Sequence, residues 1–250
     1  VYVDNRRGGK TFFACLFVIL VVLRYPRSHL GRTLGWIVCP TFPQQREVLE
    51  TIGRILPSEW LREGGPWKFQ RTERIFSLPT GAQLQLKSAD RPQTLKAGGV
   101  AVIAVNEATQ CSAKAVLICL GNNIDSGGIT ALAMNPPDST VGLWAEKLHE
   151  AIEEAGAQGG PLLDFVRETR FPPAGNDQIN QAARTRFQTL AKILDPVAEK
   201  RDGQGLWVSI KDRCYPFWER QRHQLRGEAL QEVLGWQDIT AELNALTFYL

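Results

Sequence analysis

The run Arg6-Arg7-Gly8-Gly9-Lys10-Thr11, followed at once by FFACLFVILVVL, constrains the fold more than any other feature of the sequence. Tyr2 and Val3 read as the end of a strand, and residues 11–23 as a helix that is apolar nearly all round and so should be covered on most sides. A glycine-bearing, basic turn between a strand and a helix is where backbone N–H groups can point at an anion, with the helix N-terminus adding positive potential. Lys10 would then reach the β- and γ-phosphates of a nucleotide, Thr11 would offer its hydroxyl to Mg²⁺, and Gly9 would let the backbone approach the anion. The pattern GxxxxGK[ST] wants its first glycine at position 4, where Asp4 stands, so the loop is a variant. The competing reading is a surface turn with solvated Arg6, Arg7 and Lys10; the strictly apolar helix behind it argues against that. An arginine in the loop could neutralise charge on a transferring phosphoryl group, contact DNA, or be an ordinary surface charge.

Strands alternate with helices over the first two thirds of the chain. Residues 35–39 read as a buried strand stopped by Pro40, and 44–56 as an amphipathic helix with Val48, Ile52, Ile55 and Leu56 on one face. Thr41 and Gln44 could form a capping box for that helix. Residues 67–69, 74–78 and 82–86 read as short strands, the last two a hairpin around Pro79-Thr80-Gly81. Residues 100–105, VAVIAV, lack alternation, as a central parallel strand covered on both faces does. Residues 115–120 fit either the next strand or a helix end. A strand over 129–134 ends at Asn135-Pro136-Pro137. A helix over 141–155 lines up Trp144, Leu148, Ile152 and Ala155, with Gly156 as its cap, and 165–171 suit an edge strand. Beyond about residue 172 the pattern is mainly helical: a helix capped by Asn176 or Asp177 runs to Leu194, Asp195-Pro196 breaks it, 205–210 resemble a strand, and 218–234 are polar and helix-prone. The expectation is an α/β core over 1–172 with a mainly parallel sheet and flanking helices, plus a small helical subdomain over 173–250. Because the chain opens without methionine inside an apparent strand, an upstream part is expected to be missing.

The strand VAVIAV closes in Asn106-Glu107-Ala108. Open α/β sheets bind ligands at the carboxyl ends of their strands, so Glu107 is placed to act as general base beside the phosphate loop. Asn106 stands where an aspartate for Mg²⁺ is expected; an amide can hydrogen-bond a metal-bound water but brings no charge, so metal affinity should fall. Asn135, ending the 129–134 strand, lies on the same edge and could sense a γ-phosphate, or simply form the turn before Pro136.

Other features exclude more than they assign. The net charge of +3 neither reveals nor excludes a polyanion partner. The five cysteines form no close pair, which argues against a disulfide framework or structural zinc and for a reducing, intracellular setting. The twelve-residue run 12–23 makes about 18 Å of helix, too short for a bilayer core of about 30 Å. Arg184, Arg186, Arg220 and Arg222 are candidate DNA contacts, though solvated helix faces are the simpler account of each; His29, His149 and His223 are expected at surfaces or interfaces.

These residues together resemble the ATPase domain of the large terminase subunit of tailed bacteriophages. The loop at 6–11 resembles that family's arginine-bearing phosphate loop. Trp36 to Thr41, WIVCPT, with Gln44-Gln45, resembles its second strand and following helix. Ser88-Ala89-Asp90-Arg91-Pro92, Leu95-Lys96 and Gly98 resemble the approach to the acidic strand, and Asn106-Glu107-Ala108 differs from Asp-Glu-Ala by one residue. Asn135-Pro136-Pro137 with Trp144 resembles the coupling motif and the tryptophan-bearing helix after it. Asp195-Pro196, Gly205-Leu206-Trp207 and Tyr215-Pro216 resemble the stretch that joins ATPase to nuclease.

The resemblance implies a P-loop NTPase of the additional-strand, catalytic-glutamate type that drives double-stranded viral DNA into a procapsid. It implies ATP bound by Arg7, Gly8, Gly9, Lys10, Thr11, Asn106 and Asn135, Mg²⁺ at Thr11 and Asn106, and Glu107, Lys10 and the arginine-finger candidate Arg6 as catalytic residues. Asn135 would couple hydrolysis to DNA movement. The implied partners are DNA, a portal protein, a small terminase subunit and further copies in a pentameric ring, in the host cytoplasm and transiently at the portal, with no membrane. An adenine-binding segment upstream and a nuclease downstream would be missing; Asp238 alone builds no two-metal site. The alternatives are a helicase-like or recombinase-type ATPase, or a nucleotide-binding structural module whose site is degenerate.

Overall fold

Three runs without polar alternation, LGWIVC, VIAVN and ITALAM, form the middle of one eight-stranded sheet. The computed structural model describes residues 2–3, 9–25, 33–124, 126–158, 166, 168–170, 189, 200 and 207. All of them lie in one compact unit, Val1–Asp212. In chain order the elements are β1 (Tyr2–Val3), α1 (Lys10–Arg24), β2 (Leu34–Cys39), α2 (Gln45–Ile55), α3 (Ser58–Leu61), β3 (Lys68–Gln70), β4 (Ile75–Ser77), β5 (Gln83–Ser88), β6 (Val102–Asn106), α4 (Ala113–Asn122), β7 (Ile129–Met134), α5 (Leu143–Gln158) and β8 (Thr169–Arg170). Short 3₁₀ turns cover Pro92–Leu95, Ala108–Gln110 and Thr140–Gly142.

The strand order is β3-β4-β5-β2-β6-β7-β1-β8. From β5 to β8 every pairing is parallel, while β3, β4 and β5 form an antiparallel meander at one end. Alternate residues of β2 and β6 serve two cores, which is why their sequences do not alternate. Ile37, Cys39, Val102 and Ala104 pack with Val18 and Ile19 of α1 and Val48 and Ile52 of α2. Trp36, Val38, Ile103 and Val105 pack with Leu95, Val116 and Cys119 on the opposite face. A Cβ at Gly35 would stand 2.6 Å from Val22 Cγ2 and 2.8 Å from Val18 Cγ1, so glycine lets α1 lie close on the sheet. Gly35→Ala is expected to destabilise the fold by about 1–3 kcal/mol through overpacking, read as a lower urea midpoint with an unchanged slope.

Several expectations change. The 115–120 segment is helical, within α4, whose cap Ser112 accepts from the Ala115 N–H at 3.3 Å. The helix expected over 141–155 begins with a 3₁₀ turn and runs through Gly156 to Gln158; a helical glycine costs about 1 kcal/mol and does not stop a helix by itself. Only half of the capping box forms: the Thr41 N–H donates to Gln44 Oε1 at 3.0 Å, while α2 starts at Gln45. The hairpin stands, with Gly81 at φ 86° in its turn, and the short helix α3 was not anticipated. Instead of being covered on most sides, α1 leaves Phe12 and Leu20 about half exposed, since the sheet and α2 reach only its inner side and one flank.

His149, expected at a surface or an interface, is buried within the fold. Its Nδ1 lies 2.9 Å from Glu168 Oε2, its Nε2 3.3 Å from Glu153 Oε1, and its ring stacks on Trp207 at 4.6 Å. No described helix is long and apolar enough to cross a membrane. The edge strand expected over 165–171 is described as the two-residue β8. Arg6, Arg7 and Gly8, His29 and His223, Arg184, Arg186, Arg220 and Arg222, and the elements expected beyond residue 172 lie outside the described residues, apart from Thr189, Lys200 and Trp207.

Candidate active site

Strand pairing aligns the site. Asn106 of β6 sits opposite Ala133 of β7, and Ala133 opposite Tyr2 of β1. The chain therefore leaves β6 at Glu107, β7 at Asn135 and β1 at residue 4 along one edge of the sheet. With strands about 4.8 Å apart, β6 and β1 stand roughly 10 Å from each other across the interposed β7. Cys39 of β2 pairs with Ser88 of β5 on the same edge, which brings Thr41, Phe42, Gln44 and Asp90 there as well.

At the β1 side, α1 starts beneath a glycine. Gly9 is the N-cap in a left-handed conformation, φ 88° and ψ 12°, and makes no side-chain cap hydrogen bond; the first turn carries no acidic residue. Nothing in that turn neutralises the positive end of the helix. Lys10 is 5% exposed, and Thr11 next to it is partly exposed. At the β6 side, Glu107 is partly exposed and holds φ 50° and ψ 50°, a left-handed conformation unusual for a residue with a Cβ. Asn106 Oδ1 and Asn135 Oδ1 are both buried without a hydrogen-bond partner among the described residues. Two orphaned amide oxygens on one strand edge are acceptors suited to ordered water or a ligand.

Among the described residues no group of three His, Cys, Asp or Glu side chains could hold a metal. The donors present here, the Thr11 hydroxyl and the Asn106 amide oxygen, are neutral oxygens. They fit a Mg²⁺ that keeps waters and takes most of its charge compensation from phosphates, and they would not build a metal cage alone.

The turn after Glu107 is held tightly. Gln110 N–H donates to Glu107 O at 2.9 Å, and Cys111 N–H to Ala108 O at 3.0 Å. Trp144 Nε1–H donates to Cys111 O at 3.0 Å, and Gln44 Nε2 donates to Gln110 Oε1 at 2.9 Å. A Cβ at Gly142 would lie 2.6 Å from Thr109 O, so the segment after Asn135 presses directly on this turn. Sequence patterns identify Glu107 but not these supports, whose partners lie 33 and 66 residues apart in the chain. Nearby, the Arg74 guanidinium lies 4.1 Å from the centre of the Phe42 ring, and the Phe42 N–H donates to Asp90 Oδ2 at 3.3 Å.

Cys15, Cys39, Cys111 and Cys119 are buried free thiols, and burial pushes each up to about 12 from an ordinary 9.0. A folded-state pKa above the unfolded value contributes stability that is complete below pH 9 and is lost as pH climbs toward 12. Urea midpoints should therefore fall between pH 9 and 12, more steeply in the parent than in a variant with all four replaced by alanine or serine. A flat response in both would contradict this burial.

No family model and no curated protein sequence matches the chain. Solved structures do. The ATPase domain of the Thermus phage P74-26 large terminase superimposes with a TM-score of 0.59 at 16% identity, over 82% of this chain and 88% of that one. The large terminase of a thermophilic bacteriophage gives 0.63 at 16% identity, over 83% of this chain and 48% of that chain. The HK97 bacteriophage large terminase gives 0.53 at 11% identity, over 82% and 46%. The fold is that of a large-terminase ATPase domain. The chain spans about half the length of the two whole large terminases it matches. Within this fold β7 lies between β1 and β6. The thermophilic phage protein has also been solved with ATP-γ-S and with ADP.

Proposed function

We propose that this chain is the ATP-hydrolysing module of a motor that moves double-stranded viral DNA into a procapsid. The observation that carries the reading is the edge row β1–β7–β6: β1, the strand that precedes α1 and Lys10 in the chain, ends on the same sheet edge as β6, which ends at Glu107, about two strand spacings away. The likeness to terminase ATPase domains, and the nucleotide complexes of one of them, support it.

In this reading the first-turn amides of α1, Gly8 and Gly9 let phosphate oxygens approach the backbone, and Lys10 pairs with the β- and γ-phosphates. Thr11 and Asn106 would hold Mg²⁺, directly or through its waters. The ion would supply charge neutralisation on the phosphates when bound. Glu107 accepts the proton of a water aligned on the γ-phosphorus. Arg6 or Arg7, in cis or from a neighbouring copy, stabilises charge on the transferring group. Asn135, whose buried Oδ1 has no partner among the described residues, senses the γ-phosphate in this reading and passes its loss into α5. Residues 1–172 form the ATPase core and 173–250 a helical subdomain toward a nuclease. The partners are DNA, the portal, the small terminase subunit and further copies in a ring, acting in the host cytoplasm and at the portal.

One observation favours a second reading, a module that binds nucleotide without turning it over: Asn106 brings no charge to the metal. ATP hydrolysis with and without DNA, for this chain and for Asn106→Asp, separates them. The motor reading expects DNA-stimulated turnover and a Mg²⁺ requirement lowered about tenfold or more by the aspartate. Nucleotide binding with no turnover in either form would leave the structural module.

A further inference from the structure

Glu107 owes its position to a turn rather than to its strand. Its peptide bends out of β6 in the left-handed region, and the next three residues form the 3₁₀ turn Ala108–Gln110. A strained backbone of this kind persists only where the surroundings hold it. Two contacts come from different parts of the sheet edge. From the loop after β2, Gln44 accepts at Oε1 from the Thr41 N–H at 3.0 Å and the Thr41 hydroxyl at 2.9 Å. That fixes its amide so that Nε2 donates to Gln110 Oε1 at 2.9 Å. From α5, Trp144 Nε1–H donates to Cys111 O at 3.0 Å, closing the other end of the turn. Gly142, with no room for a Cβ against Thr109 O, lets the start of α5 come close enough for that bond.

We infer that Gln44 and Trp144 are positioning residues that hold the Glu107 turn from two sides, one anchored after β2 and one after Asn135. This rests on the ATPase reading for its catalytic consequence but not for its structural one. A loosened turn misplaces the Glu107 carboxylate without touching the phosphate cradle at Gly9 and Lys10. The effect falls on kcat, since a misplacement of about 1 Å at a reacting group costs up to about 100-fold. The Trp144 contact also gives a physical route from Asn135 to the general base, because Asn135 and Trp144 belong to one continuous segment.

The test compares Gln44→Leu, Trp144→Phe, Gln44→Glu, Gln110→Glu and the Gln44→Glu/Gln110→Glu double variant in the full chain. Two readouts are used: steady-state ATP hydrolysis, and amide hydrogen exchange at Gln110 and Cys111. Gln44→Leu and Trp144→Phe should each lower kcat about tenfold or more, with the KM for ATP within about twofold. Exchange at the two amides should quicken about fivefold or more. Either single glutamate keeps one donor in the Gln44–Gln110 pair and should retain near-parent kcat and exchange. The double variant has no donor and faces two carboxylates, and should lose both. Unchanged exchange in Gln44→Leu and Trp144→Phe, or a loss confined to KM, would overturn the inference. If the parent chain hydrolyses no ATP, the ATPase reading fails, and the exchange data alone still decide whether these two residues hold the turn.

Discussion

Glu107→Gln is expected to lower kcat for ATP hydrolysis by about 10²–10⁴-fold while ATP binding persists. The amide is isosteric with the carboxylate but cannot accept the proton of the attacking water. The left-handed backbone at Glu107 is set by the turn after it, so the substitution leaves the surrounding geometry in place. ATP should still raise the melting temperature of the variant by nearly the parent amount, since stabilisation by a ligand depends on binding to the folded state. Retained turnover in Glu107→Gln would assign the base elsewhere. Loss of ATP-induced stabilisation together with turnover would show that the carboxylate belongs to the binding site rather than to the chemistry.

Lys10→Ala should produce the opposite split. Lys10 is 5% exposed at the start of a helix whose first turn carries no acidic residue, and in the proposed reading its ammonium compensates the β- and γ-oxygens. Removing one donor of this kind typically costs about 10²–10³-fold. The expected result is a loss of that size in kcat/KM together with loss of ATP-induced thermal stabilisation. A variant that binds ATP as tightly as the parent would remove Lys10 from the cradle.

The central sheet was legible because its strands are unlike anything else in the chain. VAVIAV and ITALAM are apolar without alternation, and a two-sided core is what such runs require. The turn before α1 and the acid closing β6 stand out in the sequence because each follows a strand at a fixed chemical signature, and both strands end on one sheet edge. Three things were not. The 115–120 run reads equally as strand or helix, since a short apolar segment carries no period long enough to decide; Ser112, which caps it, is the signal that was present. Gly156 reads as a stop, yet backbone hydrogen bonding carries α5 to Gln158. His149 meets Glu153 one helical turn on, but Glu168 and Trp207, which also pack against it, are distant in sequence, and no local pattern encodes them.

The same limit applies within the candidate site. Gln44 reads as a helix cap and Trp144 as one member of an apolar face, and both descriptions are true of their local segments. Their contacts with the turn after Glu107 arise only when β2, β6 and β7 lie side by side. The left-handed backbone at Glu107 is likewise invisible in the letters, since glutamate is not a residue that announces such a conformation.

The most direct test of the shared edge is a crystal structure of the chain with Mg²⁺ and a non-hydrolysable ATP analogue. The account predicts the phosphates seated on the N-terminus of α1 against Lys10, and the Glu107 carboxylate reaching the γ-phosphate through one ordered water, each leg roughly 2.6–3.2 Å. A nucleotide bound away from α1, or a γ-phosphate that Glu107 cannot reach through a single water, would contradict it.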